Sequence, residues 1–212
     1  MESAELIEYY RRRAGEYEAI YAKPERQADL LLLKTKIAEI FRNARVLEVA
    51  CGTGYWTTVI SGAAKAVTAT DLAEEPMRIA RSKEYPRDNA RFCVSDAYRL
   101  AEDLGSFDAA FAGFWWSHVP RQRIAEFVAS LHARLEPGAR VLLLDNLYVE
   151  GDSTAISEVD ASGNTYQLRT LADGSGFRVM KNFPTKDELR ALLPPPVHYR
   201  ALRYYWLAEY RV

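Results

Sequence analysis

The sequence predicts a doubly wound α/β fold, a mostly parallel sheet with helices on both faces. Three observations predict it. Strand-length apolar runs alternate with helical segments between residues 24 and 145. The first of these runs ends in a tight glycine turn, Cys51-Gly52-Thr53-Gly54, and the second closes on an acid, Asp71. Each interval between strands is long enough for a helix, and such spacing builds βαβ units around a parallel sheet.

Leu6, Tyr9, Tyr10, Tyr17, Ile20 and Tyr21 stand near helical spacing, so residues 3–22 are expected to be an N-terminal helical segment. Lys23-Pro24 breaks it, and Pro24 suits an early position of the next helix, about 24–42. Residues 45–50 give the first strand, and a helix from about Tyr55 follows the glycine turn. Residues 65–71 predict a second strand, 74–83 a helix, 90–94 a third strand and 107–113 a fourth. A helix from about 120 to 135 leads through Pro137-Gly138 into a fifth strand, 140–145.

After Asn146 the pattern changes. Residues 165–171 and 176–181 flank Ala172-Asp173-Gly174-Ser175, which predicts a β-hairpin. Residues 185–193 predict a short helix ended by Pro194-Pro195-Pro196, and 197–211 two more strands meeting near Ala201. The expected organisation is one domain over 1–212, with a lid over 1–23 and a substrate-side hairpin insertion over 150–184. Inserted elements of this kind often carry specificity.

At 212 residues the chain suits one domain. Hydrophobic residues at 49% and charged residues at 27% supply a core and argue against disorder. With 28 basic and 29 acidic side chains, there is no overall electrostatic reason to bind nucleic acid or an anionic membrane. Cys51 and Cys93 each sit by an apolar run and read as buried thiols of a reducing compartment. The N-terminal residues lack the apolar core of a signal peptide, and no apolar run approaches a membrane span. A cytoplasmic protein is expected; its oligomeric state is not readable.

The chemistry concentrates in Val46-Leu47-Glu48-Val49-Ala50-Cys51-Gly52-Thr53-Gly54-Tyr55-Trp56-Thr57. Gly52 and Gly54 let the backbone turn sharply and approach a ligand with no Cβ between. The crevice beyond the first strand is where an open α/β sheet holds a nucleotide, and Asp71 can accept from both hydroxyls of a ribose. A dinucleotide fingerprint needs a third glycine at position 57, where this chain has Thr57. A pyrophosphate seeks close approach to a helix N-terminus, whereas a sulfonium amino acid does not.

Glu48-Val49-Ala50-Cys51-Gly52-Thr53-Gly54 resembles motif I of the class I S-adenosylmethionine-dependent methyltransferases. The resemblance implies a Rossmann-like seven-stranded sheet, S-adenosylmethionine as cofactor and S-adenosylhomocysteine as product. It implies cofactor contacts from Glu48, Ala50, Gly52, Thr53, Gly54 and Trp56 in this stretch. Asp71 would be the ribose acid, Leu72 would lie beside the adenine, and Met77 would be a further wall. Asp96-Ala97 would read the adenine, although Asp96 also suits a helix N-cap. Gly113, at the end of the fourth strand, would line the transfer site.

Tyr9-Tyr10-Arg11-Arg12-Arg13-Ala14-Gly15-Glu16-Tyr17, His118-Val119-Pro120, and the segments 169–171 and 177–181 extend the likeness. Together they resemble the phosphonate O-methyltransferases of dehydrophos biosynthesis and their relatives. The likeness covers most of the chain but is patchy between motifs. It implies a lid whose Tyr10 touches cofactor, a catalytic His118, and an acceptor site built from Tyr10, Tyr17, Tyr21, Trp115, Arg169, Arg178 and Lys181. Aromatic faces stabilise a sulfonium and exclude water, and Arg169 and Lys181 converging across the hairpin would hold an oxyanion. The plainer readings are a packed tyrosine face, a structural histidine and a solvated basic hairpin.

Asp145-Asn146-Leu147 resembles half of the metal site of catechol-type O-methyltransferases. The fourth strand ends in Gly113-Phe114-Trp115 without the second acid, so no metal is expected. The expected activity is methylation of a small acceptor at an acidic or hydroxyl oxygen. Small-molecule N-methylation and a non-catalytic cofactor-binding protein are the alternatives.

Overall fold

The computed structural model describes residues 4–212, so residues 1–3 of the expected lid lie outside it. Strands β1 (Arg45–Val49), β2 (Ala66–Asp71), β3 (Ala90–Val94), β4 (Phe107–Gly113) and β5 (Leu135–Asn146) fall where the apolar runs stand. Helices α2 (Gln27–Ile40), α3 (Tyr55–Ala63), α4 (Glu74–Arg81) and α5 (Ile124–His132) alternate with them except between β3 and β4, where only a 3₁₀ turn at Glu102–Leu104 intervenes, and α1 (Ala4–Arg13) precedes them. Strand β5 begins at Leu135 rather than Arg140, because Leu135 pairs with Phe107 ahead of a register shift in β4.

The tail adds α6 (Lys186–Leu192), β9 (His198–Ala201) and β10 (Tyr205–Arg211). Thr185 caps α6 reciprocally with Glu188, satisfying an orphan amide at each end of the exchange. The sheet runs β3-β2-β1-β4-β5-β10-β9, with β10 antiparallel to both neighbours. The chain direction across the sheet reverses between β1 and β4, and the crevice beyond the strand ends there is where such sheets bind ligands.

Alternation divides the core into two layers. Leu47, Val49, Val141, Leu143 and Trp206 point to the face covered by Phe127 and Leu131 of α5 and Leu189 of α6. Val46, Leu142, Leu144 and Leu207 point to the other, covered by Leu33 and Ile37 of α2 and Ile60 of α3.

Two elements differ from the sequence reading. The hairpin β7 (Thr165–Thr170) and β8 (Gly176–Met180) gains a third, two-residue strand, β6 (Glu158–Val159). The N-terminal segment is not one α-helix: α1 stops at Arg13 and residues Ala14–Tyr21 wind as a 3₁₀ helix. Gly15 weakens the α-helix at that point. With three residues per turn, Ala14, Tyr17 and Ile20 form one row, and all three face the cavities described below. Leu6 and Tyr9 of α1 pack on Phe177 and Val179 of β8, joining α1 to the hairpin. Among the described residues, no helix is long and apolar enough to cross a membrane.

Candidate active site

The glycine loop is held from below by one carboxylate. Asp71, at the end of β2, accepts from the Gly52 amide at 2.8 Å and the Ala73 amide at 2.9 Å, one on each oxygen. Each oxygen keeps a lone pair, and the residue lines the cavity above the loop. Burial raises the Asp71 pKa and the Ala73 and Gly52 amides oppose that rise. Ala50 and Gly52 both take positive φ, 55° each. A Cβ at Gly52 would meet no protein atom within 4 Å, so it would project into open cavity. Gly54 serves packing instead: a Cβ there would stand 2.9 Å from the Cβ of Ala80 in α4.

Two cavities open at the strand ends. The first, of about 790 Å³, lies between the glycine loop and the N-terminal segment and has a mainly apolar lining. Its size suits a cofactor or small ligand. The sequence-predicted residues Ala50, Gly52, Thr53, Asp71, Leu72, Ala97 and Gly113 line it, with Tyr10, Tyr17, Trp115 and His118. Leu6, Ile7 and Ala14 of the N-terminal segment, Ala73, Pro76, Ser95 and Phe114 complete it; of these the sequence reading had placed only Phe114, in the segment after the fourth strand, near the transfer site.

Five predicted cofactor residues do not reach this cavity. Met77 is fully buried in α4, and Gly54 and Trp56 lie behind the loop. Asp96 stands between two lining residues while its Oδ1 accepts from the Tyr98 amide at 2.9 Å; no helix starts there for it to cap. Glu48 is 2% exposed, and burial pushes its pKa up to about 8. The turn that brings the glycine loop over β1 leaves this side chain inside the protein.

The second cavity, about 850 Å³, opens on the hairpin side. Tyr10, Tyr17, Phe114 and His118 line both cavities and form the wall between them. Phe114 holds φ at 62°, an unusual conformation for an aromatic residue, and its amide donates to the Leu144 carbonyl at 2.6 Å. Arg169 and Lys181, two of the residues expected at an acceptor site, line the second cavity together with Arg13, Lys23 and Arg26, which the sequence reading did not flag. Asp152 is the acidic residue of that lining.

Register explains which hairpin cations face inward. Arg169 pairs with Phe177 and shares a face with Val179 and Lys181, whereas Arg178 pairs with Leu168 on the opposite face. Arg178 therefore lines neither cavity: it pairs with Glu158 at 2.7 Å and lies over the Tyr166 ring. Tyr21 also lines neither. It stacks on Tyr55 with ring centres 3.8 Å apart and accepts from Trp56 Nε1 at 3.2 Å, anchoring the N-terminal segment to α3.

His118 is 5% exposed and held at both nitrogens. Nδ1 lies 2.7 Å from the Met180 carbonyl, which only accepts, so Nδ1 carries the proton. Nε2, 2.7 Å from the Tyr10 hydroxyl, is then an acceptor, and Tyr10 donates to it. Burial first, and the charge of Lys181 second, lower the His118 pKa to about 3, so the ring is neutral near pH 7. Burial similarly takes Tyr17 up to about 12.

Lys181 is buried and donates to Ser117 Oγ at 2.6 Å and Asp145 Oδ1 at 3.0 Å. Asp145 also accepts from the Ser117 and Asn146 amides and from Asn146 Nδ2. Burial pushes the Asp145 carboxyl up, but Lys181 and these donors outweigh it and hold the pKa below the usual range.

This chain belongs to the class I S-adenosylmethionine-dependent methyltransferases, whose cofactor is S-adenosylmethionine. Residues 46–138 match the family described as a methyltransferase domain. Nearly the whole chain superposes on two solved structures of DhpI. The complex with SAM and HEP has a TM-score of 0.79 and 32% identity, covering 99% of each chain. The complex with SAH has a TM-score of 0.77 and 31% identity, covering 98% of this chain and 97% of that one. A demethylmenaquinone methyltransferase of Staphylococcus aureus (strain MRSA252) is 30% identical over 107 residues, 49% of this chain and 44% of that protein. The chain thus spans less than half the length of the curated relatives it matches.

Proposed function

We propose that the chain transfers a methyl group from S-adenosylmethionine to an oxygen of a small anionic acceptor, a phosphonate, phosphate or carboxylate. One observation carries this reading. Among the described residues, a cavity lined by Arg13, Lys23, Arg26, Arg169 and Lys181, against Asp152 as its one acid, shares its wall with the cofactor cavity. The likeness to DhpI, solved with SAM and HEP, agrees with it.

The residues of the first cavity fit the cofactor. Gly52 leaves open space where any side chain would intrude, and the Asp71 oxygens retain lone pairs for two ribose hydroxyls. Leu72 and Ala97 offer apolar surface to an adenine, and Asp96 stands beside them. When bound, the cofactor supplies an electrophilic methyl on sulfur. Tyr10 and Tyr17 present aromatic faces to a cation and close the site from water. The remaining catalytic contribution is positioning an acceptor oxygen in line with that methyl.

The protonation state of His118 favours an acceptor that is already ionised. A general base works best with a pKa near the operating pH, and burial holds the His118 ring far below it. An acidic oxygen needs no base. His118 then fixes Tyr10 through Nε2 and the hairpin through Nδ1, a positioning role. Hydroxyl or amine methylation would require Nε2 to exchange the Tyr10 hydroxyl for the acceptor.

The test is turnover with labelled S-adenosylmethionine against matched panels of small phosphonates, phosphates, carboxylates, alcohols and amines. Label transfer confined to the acids is the expected result. Transfer to alcohols or amines alone would overturn the reading.

A further inference from the structure

The cations of the second cavity are not equivalent. Lys181 is paired with Asp145 and Arg26 with Asp152, the latter at 2.5 Å. Lys23 lies 3.9 Å from Glu25. Arg13 and Arg169 differ: among the described residues, neither has a carboxylate partner. Arg169 donates from Nη2 to Gln167 Oε1 at 2.5 Å, and its Nε is buried without a partner. Arg13 donates from Nη1 to the Tyr9 hydroxyl at 2.8 Å and lies over the Tyr17 ring.

Arg13 is the last of three consecutive arginines at the end of α1. Arg11 is paired with Glu8 and Arg12 with Asp173 at the hairpin turn. The third turns to the cavity instead. Both unpaired guanidiniums act on the same groups: the charges of Arg169 and Arg13 each press on Lys181 and on the Tyr10 hydroxyl. Several cations around one cavity repel unless an anion stands among them, and a guanidinium fork suits a multidentate oxyanion.

We propose that the acceptor's acidic group is held between Arg169 on the hairpin and Arg13 at the end of α1, so that acceptor and cofactor each reinforce the binding of the other. This rests on the anionic-acceptor reading above and extends it. The N-terminal segment is common to both sites. Leu6, Ile7 and Ala14 line the first cavity, Arg13 and Ile20 the second, and Tyr10 and Tyr17 both. An anion that fixes Arg13 therefore lowers the cost of ordering that segment for the cofactor. By linkage the cofactor does the same for the anion.

The experiment titrates methylphosphonate calorimetrically into protein saturated with S-adenosylhomocysteine, then S-adenosylhomocysteine into protein with and without methylphosphonate. It uses the wild type, Arg13→Gln, Arg13→Lys and Arg169→Met. In the wild type, each ligand should tighten the other by the same factor. Arg13→Gln should weaken methylphosphonate by about ten- to a hundredfold, the loss expected for a charge-assisted pair. It should leave S-adenosylhomocysteine affinity alone unchanged, which also reports a folded protein, and it should abolish the mutual tightening. Arg13→Lys should recover part of both, and Arg169→Met should lose methylphosphonate binding. Methylphosphonate binding by Arg13→Gln within twofold of wild type, or tightening that survives in it, overturns the proposal while leaving the anionic reading intact. A wild type that neither binds methylphosphonate nor methylates any acid overturns both.

Discussion

Lys181→Met should destabilise the protein far more than an ordinary surface substitution, with a pH signature that identifies the cause. Asp145 is 0% exposed and the Lys181 side chain 8% exposed. Removing one member of a buried pair leaves an uncompensated charge, at a cost of about 3–5 kcal/mol. Three donors on Asp145 survive the substitution, the Ser117 and Asn146 amides and Asn146 Nδ2, which favours the lower figure. At about 2–4 °C per kcal/mol for a chain of this size, a loss of about 3 kcal/mol lowers Tm by roughly 6–12 °C. In the wild type the folded Asp145 pKa lies below its ordinary 3.8, so its stabilisation is present above that value and lost as pH falls. In the variant, burial acts without Lys181 and the folded pKa moves above 3.8. Stability is then spared at low pH and lost as pH rises through the new value. Urea unfolding at a series of pH values should show a deficit that is large at pH 7 and shrinks toward pH 4. Adding Asp145→Asn should restore at least half of it. A deficit below about 1 kcal/mol at pH 7, or one equal at both ends, refutes the reasoning.

Gly52→Ala should weaken S-adenosylhomocysteine by tenfold or more with a loss of about 1 kcal/mol in stability, since φ is 55° and the methyl enters the cavity; calorimetry and urea unfolding read the two effects separately. Arg178→Gln should leave acceptor KM and kcat within twofold of wild type, because its charge faces Glu158 on the outer side of the hairpin; steady-state kinetics decide this. The 15N shifts of His118 should report a ring that is neutral across pH 5–8, as burial and Lys181 require, and protonated at Nδ1, as the Met180 carbonyl requires; an imidazolium signal near pH 6 would contradict the first and a proton on Nε2 the second.

Much of the fold was legible because its signals are local. Apolar strand runs, the break at Pro24 and the alternation of strand and helix specify a parallel sheet without knowledge of partners, whereas Pro137-Gly138, expected as a turn, lies inside β5 at its register shift. The residues that line the first cavity were largely legible too, since the glycine loop and Asp71 occupy fixed places at the ends of β1 and β2. The N-terminal segment's change from α to 3₁₀ at Ala14 was harder to see. Gly15 is its one local sign, and the geometry depends on what Tyr17 and Tyr21 pack against.

The acceptor side divides differently. The sequence reading grouped Arg178 with Arg169 and Lys181; strand parity separates Arg178 from Lys181 on one strand, and the cross-strand register places Arg169 with Lys181. The neutral state of His118 and the commitment of Lys181 to Asp145 were not legible, because burial and charge pairing arise between segments distant in the chain. The same holds for Arg13: the sequence displays three arginines in a row with Glu8 one helical turn before Arg11, and only packing gives Asp173 to Arg12 and, among the described residues, no acid to Arg13. The sequence by itself determined the sheet and the glycine loop, through backbone preferences and periodicities that act over a few residues, and the resemblance of the glycine loop to a known motif implied the kind of cofactor. The tertiary structure decided which cations meet an acid, which nitrogen of His118 holds its proton and which tyrosines face a cavity, because electrostatics and burial depend on distances in space.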